Sequence, residues 1–214
     1  MDVKLEDVWY TYDGVNYALS SVGMEFNGSG LYLVTGPNGS GKTTLLKVLA
    51  LIHKPSKGRI LINGVNPWSR GLTDSIRSSL AYVHDKPLIV KGDVDYNISL
   101  GLRLKNLEVA EGSIGYYIER YGLSEFRKRD ARSLSAGNRR IVSILRALIL
   151  KPKMLIIDEP FNHLDVKKVE LLIEDLRELS RNTTIVMSTH YLYKEILECA
   201  KERYEIIAGR LRKL

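Results

Sequence analysis

One octapeptide constrains this chain more than anything else in it: Gly36-Pro-Asn-Gly-Ser-Gly-Lys-Thr43. It fits the pattern G-x-x-x-x-G-K-[ST], lying between a short apolar run, Gly30 to Thr35, and a segment apolar at helical spacing, Leu45 to His53. In such a strand–loop–helix unit the glycines let the backbone curl, so that successive N–H groups face one anion. The following helix adds its positive N-terminus. Lys42 then reaches the β- and γ-phosphates, and the Thr43 hydroxyl can ligate Mg²⁺. The expected nucleotide-binding residues are therefore Gly36, Pro37, Asn38, Gly39, Ser40, Gly41, Lys42, Thr43 and Thr44.

A second segment belongs with the first. Met154-Leu-Ile-Ile-Asp158-Glu159 is an apolar strand ending in two carboxylates, at the sheet edge where a phosphate loop also lies. Asp158 can hold Mg²⁺, and Glu159 is placed to take a proton from an attacking water. A third piece is Leu134-Ser135-Ala136-Gly137-Asn138. There Ser135 is a good N-cap for a helix whose N–H groups face an anion.

The rest of the chain alternates as an α/β protein does. Val3 to Tyr12, Arg59 to Ile62, Leu80 to Val83, Met154 to Ile157 and Thr183 to Ser188 read as strands. Asn63-Gly64 is a hairpin signal. Val166 to Ser180 reads as an amphipathic helix with Val169, Leu172, Ile173 and Leu176 on one face, and Tyr191 to Cys199 as a second helix. Residues 86 to 150 change character, being richer in Arg, Lys and helix formers, and read as a helical insert. Continuous apolar strands between helices point to a parallel sheet buried on both faces.

Composition narrows the partners. The formal net charge is +7, and residues 119 to 153 hold ten basic residues (Arg120, Arg127, Lys128, Arg129, Arg132, Arg139, Arg140, Arg146, Lys151, Lys153) against Glu119, Glu125 and Asp130. Nucleic acid, anionic lipid or a phosphate ligand would each suit that excess, as would a solvated helical face. A single cysteine, Cys199, excludes an intrachain disulfide framework and fits a reducing compartment. The acidic start lacks the apolar core of a signal peptide, and no run approaches the roughly 18 uncharged apolar residues of a spanning helix. The chain is not expected to cross a membrane by itself.

Taken in order, these motifs resemble the ATP-binding-cassette ATPase family, over about Val3 to Leu211. Leu134 to Asn138 is similar to the family's LSGGQ signature, Met154 to Pro160 to its Walker B strand with catalytic glutamate, Asn162-His-Leu-Asp165 to its D-loop, and Ser188-Thr189-His190 to its switch-histidine segment. The resemblance implies a P-loop NTPase core with a mixed or parallel sheet flanked by helices, an N-terminal antiparallel β subdomain and an inserted helical subdomain. Residues 1–85 and 151–214 would form the ATP-binding core and about 86–150 the helical signature subdomain. It implies a head-to-tail dimer, with Ser135, Ala136, Gly137 and Asn138 of one chain facing the ATP of the other.

In the same family terms Glu159 is general base, His190 holds γ-phosphate and water, Lys42 completes the catalytic group, and Asp165 connects the two sites. Tyr12 is similar to the aromatic that stacks on adenine, with Tyr10 as the neighbouring candidate. His53, His84, His163 and Cys199 are read as structural. The basic stretch then faces a triphosphate in trans, and no nucleic acid is expected.

The chain departs from the family pattern where the family has glutamine, a residue this sequence lacks entirely. Asp85 occupies the Q-loop position, Asn138 closes the signature, and Ala136 replaces its first glycine. A carboxylate at 85 can still ligate Mg²⁺. A heat-adapted bias against amide side chains would empty both positions, but ten asparagines argue against a general avoidance. The expected function is the ATP-hydrolysing subunit of a membrane transporter, a homodimer or heterodimer on the cytoplasmic side of the membrane. Contact with separate transmembrane subunits would be built around Asp85 to Asn97. A soluble cassette ATPase, of the iron–sulfur cluster assembly type, and a cassette that binds ATP but turns over poorly are the other two readings.

Overall fold

The computed structural model describes residues 1–69, 71–108 and 111–214. In chain order the elements are β1 (Val3–Thr11), β2 (Tyr17–Phe26), β3 (Gly30–Thr35), α1 (Lys42–Leu49), β4 (Lys57–Ile62), α2 (Thr73–Arg77), β5 (Leu80–Val83), α3 (Val94–Leu104), α4 (Glu111–Arg120) and α5 (Ala136–Leu148). They continue with β6 (Met154–Asp158), α6 (Val166–Leu179), β7 (Thr184–Ser188), α7 (Lys194–Cys199), β8 (Ala200–Ile207) and β9 (Arg210–Lys213).

Two sheets form. A three-stranded antiparallel sheet has the order β2-β1-β4, and a six-stranded sheet has the order β5-β6-β7-β3-β8-β9. In the larger sheet all neighbours are parallel except β8 and β9. Its central strands are apolar throughout because both faces are covered. Leu31 and Leu33, Leu155 and Ile157, Ile185 and Met187 point to a core shared with α3 to α6. Tyr32 and Val34, Met154 and Ile156, and Val186 point the other way, onto α1 and the small antiparallel sheet. The result is the mixed α/β fold expected, with helix α1 wedged between the two sheets. All the described strands lie before residue 85 or after residue 153, and α3, α4 and α5 lie between.

Several boundaries differ from the sequence reading. Helix α1 starts at Lys42, three residues early, since the Gly41 carbonyl accepts from Leu45 N at 2.9 Å. It ends at Leu49 because Leu51 turns left-handed. Asn63-Gly64 makes its tight turn, both residues having positive φ, but the returning chain adds only one bridge, Ile62 to Val65, before Pro67. The helix read from Tyr191 starts only at Lys194, as Thr189 Oγ1 holds the Tyr191 N–H at 2.9 Å and keeps the chain extended.

Strand β2 is hidden in the sequence because a bulge at left-handed Ser21 sets inward-facing Leu19 and Val22 three positions apart instead of two. In β8 only Tyr204 and Ile206 are buried, among Lys, Glu and Arg. Among the described residues no helix is long and apolar enough to cross a membrane.

Helix α5 packs on α3 and β5 through Ile141, Ile144 and Leu145, all fully buried. Leu145→Ala is expected to cost about 2–5 kcal/mol by loss of transfer energy and by the cavity left behind. Chemical denaturation of the two proteins would read it as a lower midpoint at unchanged slope.

Candidate functional site

The carboxyl ends of β3, β6 and β7 lie side by side, so the segments leaving these three strands meet one another. After β3 comes the glycine-rich loop. Gly41 has φ +109°, and a Cβ there would lie 2.7 Å from the Ala18 carbonyl oxygen, so only glycine lets the loop close against β2. Helix α1 then points its N-terminus into the same space. After β6 come Asp158, fully buried, and Glu159, which sits at φ +49°, a left-handed conformation costly for any residue with a Cβ. After β7 come Ser188, Thr189 and His190.

Hydrogen bonds join the three ends. Thr43 Oγ1 donates to Asp158 Oδ2 at 2.6 Å, and Ser188 Oγ donates to Asp158 Oδ1 at 2.5 Å. Ser188 also accepts the Glu159 N–H, at 3.0 Å on its hydroxyl and 3.1 Å on its carbonyl. Glu159 is held from both sides: Oε1 lies 3.4 Å from Lys42 Nζ, and Oε2 lies 2.7 Å from His190 Nδ1 and 3.2 Å from His190 N. Lys42 Nζ donates to the Gly36 carbonyl at 2.8 Å and the Pro37 carbonyl at 3.2 Å. The ammonium is thus aimed into the loop, with one buried carboxylate as its counter-charge.

These groups face a pocket of about 430 Å³, lined by Tyr12, Ala18, Asn38, Gly39, Gly41, Lys42, Thr43, Thr44, Asp85, Glu159, Asn162 and His190. Tyr12 stands at its mouth, 61 % exposed, its hydroxyl 3.1 Å from Thr44 Oγ1. Tyr10 is turned away, stacked on His53 with ring centroids 4.6 Å apart. Of the two candidate aromatics, Tyr12 is the one on the pocket. Asp85 faces the loop from the β5 side. It accepts the Lys86 N–H at 2.8 Å, and the His84 ring nitrogen touches its carboxylate, so His84 orients a pocket residue.

Thr43, Asp158 and Asp85 offer only oxygen, the donor type a hard divalent cation takes. Among the described residues no group of three or more His, Cys, Asp or Glu side chains could hold a metal by itself. A cation would fit here with phosphate oxygens and water completing its shell.

Ser135, Ala136, Gly137, Asn138 and Asp165 do not line this pocket. Ser135 caps α5, accepting the Asn138 N–H at 3.3 Å, and Ser135 and Ala136 are exposed. Gly137 lies so close under the segment Asn162 to Asp165 that a Cβ would come 2.5 Å from the His163 carbonyl oxygen. Asp165 caps α6 and pairs with Lys168 at 2.7 Å, which holds its carboxyl below the usual range. Cys199, far along the chain, accepts from Arg177 Nε at 2.9 Å.

The basic stretch is largely spent inside the subunit. Arg120 pairs with Glu174 at 2.8 Å and Asp175 at 3.0 Å, Arg127 and Lys128 with Asp95 at 2.9 Å, and Arg132 with Asp130 at 2.6 Å. Arg146 donates to the Asn97 and Leu88 carbonyls, both at 2.8 Å. Proximity along the chain assigned these charges to a triphosphate in trans, but these side chains meet acids and carbonyls of their own chain. Two residues close to the site were not read from the sequence as part of this pocket. Ser188 bridges Asp158 and Glu159. Arg140, buried on α5, donates to the carbonyls that flank the pocket from below. A lone cation on the apolar face with Ile141, Ile144 and Leu145 was the available signal for it.

The ABC transporter family model matches residues 19–162. A putative ABC transporter ATP-binding protein of Pyrococcus abyssi is 34 % identical over 205 residues, which are 94 % of this chain and 78 % of that protein. A probable sulfate/thiosulfate import ATP-binding protein of Chlorella vulgaris is 33 % identical over 216 residues, 99 % of this chain and 89 % of that one. Among solved structures, a dimeric ATP-binding cassette in a post-hydrolysis state bound to ADP and Pi superimposes with a TM-score of 0.86. It is 25 % identical, covering 99 % of this chain and 97 % of that one.

Gly41→Ala forces a Cβ onto a backbone oxygen at a positive φ, a strain of about 1–3 kcal/mol. Nucleotide titration is expected to show about 5- to 150-fold weaker binding, the range such a strain implies.

Proposed function

The chain belongs to the ABC transporter family of ATPases, and from that premise we propose that it is the ATP-binding and ATP-hydrolysing subunit of a membrane transporter. It works as a dimer around two Mg²⁺–ATP, on the cytoplasmic face, and drives separate transmembrane subunits. The observation that carries the reading is one pocket in which Lys42, the Thr43–Asp158 pair and the Glu159–His190 pair converge, while Ser135 to Asn138 stay outside it. Half of a family site faces ATP, and the other half faces outward, so a second chain completes each site. Pairing with a copy of itself or with another cassette both satisfy that geometry.

The chemistry follows from the residues. The loop N–H groups and Lys42 hold the β- and γ-phosphates. Tyr12, at the mouth, stacks on the base. Thr43, Asp158 and Asp85 would hold a Mg²⁺ that, when bound, would neutralise charge on the phosphate oxygens. Lys42 now rests against Glu159 Oε1. Once Lys42 turns to the phosphates, that oxygen is free to accept the proton of an attacking water. His190, bonded to Oε2 through Nδ1, keeps the carboxylate oriented and leaves its other ring nitrogen for the γ-phosphate. Transport needs the closing and opening of the dimer to reach another protein. The segment after Asp85 suits that task, with Leu88 68 % exposed and Val90 beside it.

Glu159→Gln keeps the shape and removes the base, so turnover is expected to fall at least ~100-fold with nucleotide affinity retained. Phosphate release and nucleotide titration on the same protein check both halves. For the membrane role, tagged protein is drawn from detergent-solubilised native membranes and its partners identified by mass spectrometry. A polytopic membrane protein in stoichiometric amount is expected, and recovery of soluble partners alone would overturn the transporter assignment.

A further inference from the structure

We propose that Arg140 is a positioning residue that locks the loops carrying Asp85 and Asp158 at one spacing, so that both face a single divalent cation. The inference rests on the Mg²⁺–nucleotide reading above. Arg140 is the largest fully buried side chain, 1 % exposed, on a helix face otherwise built of Ile141, Ile144 and Leu145. Among the described residues it enters no ion pair. Its guanidinium donates to backbone carbonyls instead: from Nη1 to His84 and, at 3.1 Å, Asp85; from Nη2 to Asp158; from Nε to Pro160 at 3.3 Å.

Those four carbonyls close the ends of β5 and β6, which are parallel neighbours. A guanidinium is a rigid planar fork, so it serves both loops only when they stand at one separation. It is also a costly tool for packing, since taking such a cation out of water is strongly unfavourable unless the fold repays it. Burial indeed pulls its pKa down to about 10, against the opposing field of Asp158, Asp85 and Glu159. The cation therefore lies near three carboxylates, Asp85 and Glu159 on the wall of a pocket meant for a polyanion and Asp158 just behind it. It offsets their repulsion from a place where it cannot itself bind phosphate.

The test separates this role from packing by reading the metal's share of nucleotide affinity. ADP binding is measured by calorimetry with and without Mg²⁺, on the unsubstituted protein and on Arg140→Gln, Arg140→Lys and Asp85→Asn, with melting temperatures alongside. Arg140→Gln removes charge and fork, and Arg140→Lys keeps the charge alone. Both are expected to cut the Mg²⁺-linked gain in affinity at least ~10-fold, the usual scale for a group that orients a metal ligand. In Arg140→Lys, where the charge stays, metal-free affinity, set by the loop of Gly36 to Thr44, is expected to stay within about twofold.

Asp85→Asn is expected to lose the same Mg²⁺-linked gain, and to add less than about twofold on top of Arg140→Gln, since the two act through one loop. An unchanged Mg²⁺ gain in the Arg140 variants, or an equal fall with and without metal in Arg140→Lys, overturns the proposal. So does an Asp85→Asn protein with full Mg²⁺ gain, a result that stands even if Arg140→Gln does not fold. If the unsubstituted protein binds ADP no better with Mg²⁺, the underlying reading of the site fails instead.

Discussion

Everything at the pocket hangs on two hydrogen bonds to one buried carboxylate. Asp158 accepts from Thr43 through one oxygen and from Ser188 through the other. Those partners belong to the loop after β3 and to the end of β7, while Asp158 itself ends β6. Three neighbouring strands are therefore pinned at their carboxyl ends by side-chain bonds as well as by the sheet ladder. With both oxygens satisfied, a carboxylate can be fully buried without the penalty of an orphaned charge. The next residue, Glu159, can then be held in a left-handed conformation that an unsupported loop would relax.

The distribution of charge follows a single economy. The pocket lining carries Asp85, Glu159 and Lys42, with Asp158 just behind them, and its substrate is a polyanion. A site built that way needs positive charge that does not block it. The loop amides and the start of α1 supply part of it as backbone dipoles. Arg140 lies beneath, buried and bonded to carbonyls, where it strengthens the site without occupying it. Elsewhere the basic excess of residues 119 to 153 is answered by Asp130 within the stretch and by Asp95, Glu174 and Asp175 from other helices. Arg120 and Tyr121, both bonded to Asp175, fasten α4 to α6 in this way.

Legibility in the sequence tracked how local the cause was. The glycine loop, the Ser135 cap and the paired carboxylates after Met154 to Ile157 all depend on a few consecutive residues, and each lies where the motif put it. Strand β2 was hidden by one bulge at Ser21, which breaks the period-two pattern. The helix after His190 was read too long because Thr189 bonds to Tyr191, a contact that periodicity does not encode. The choice between Tyr10 and Tyr12 was open in the sequence and depends on His53, some forty residues on, which stacks on Tyr10 and leaves Tyr12 at the pocket.

The amino-acid order alone determined the fold class, the family and the phosphate-binding loop, because these rest on short-range backbone chemistry and on strand and helix periods. Only the tertiary structure decided that Glu159 is shared between Lys42 and His190, that Ser188 bridges two acids, and that Arg140 supports the ends of β5 and β6. Those relations join residues up to about 120 positions apart in the chain, brought together by the parallel sheet. A buried polar group takes its partners from whatever the packing places beside it, and no spacing along the chain states which these will be.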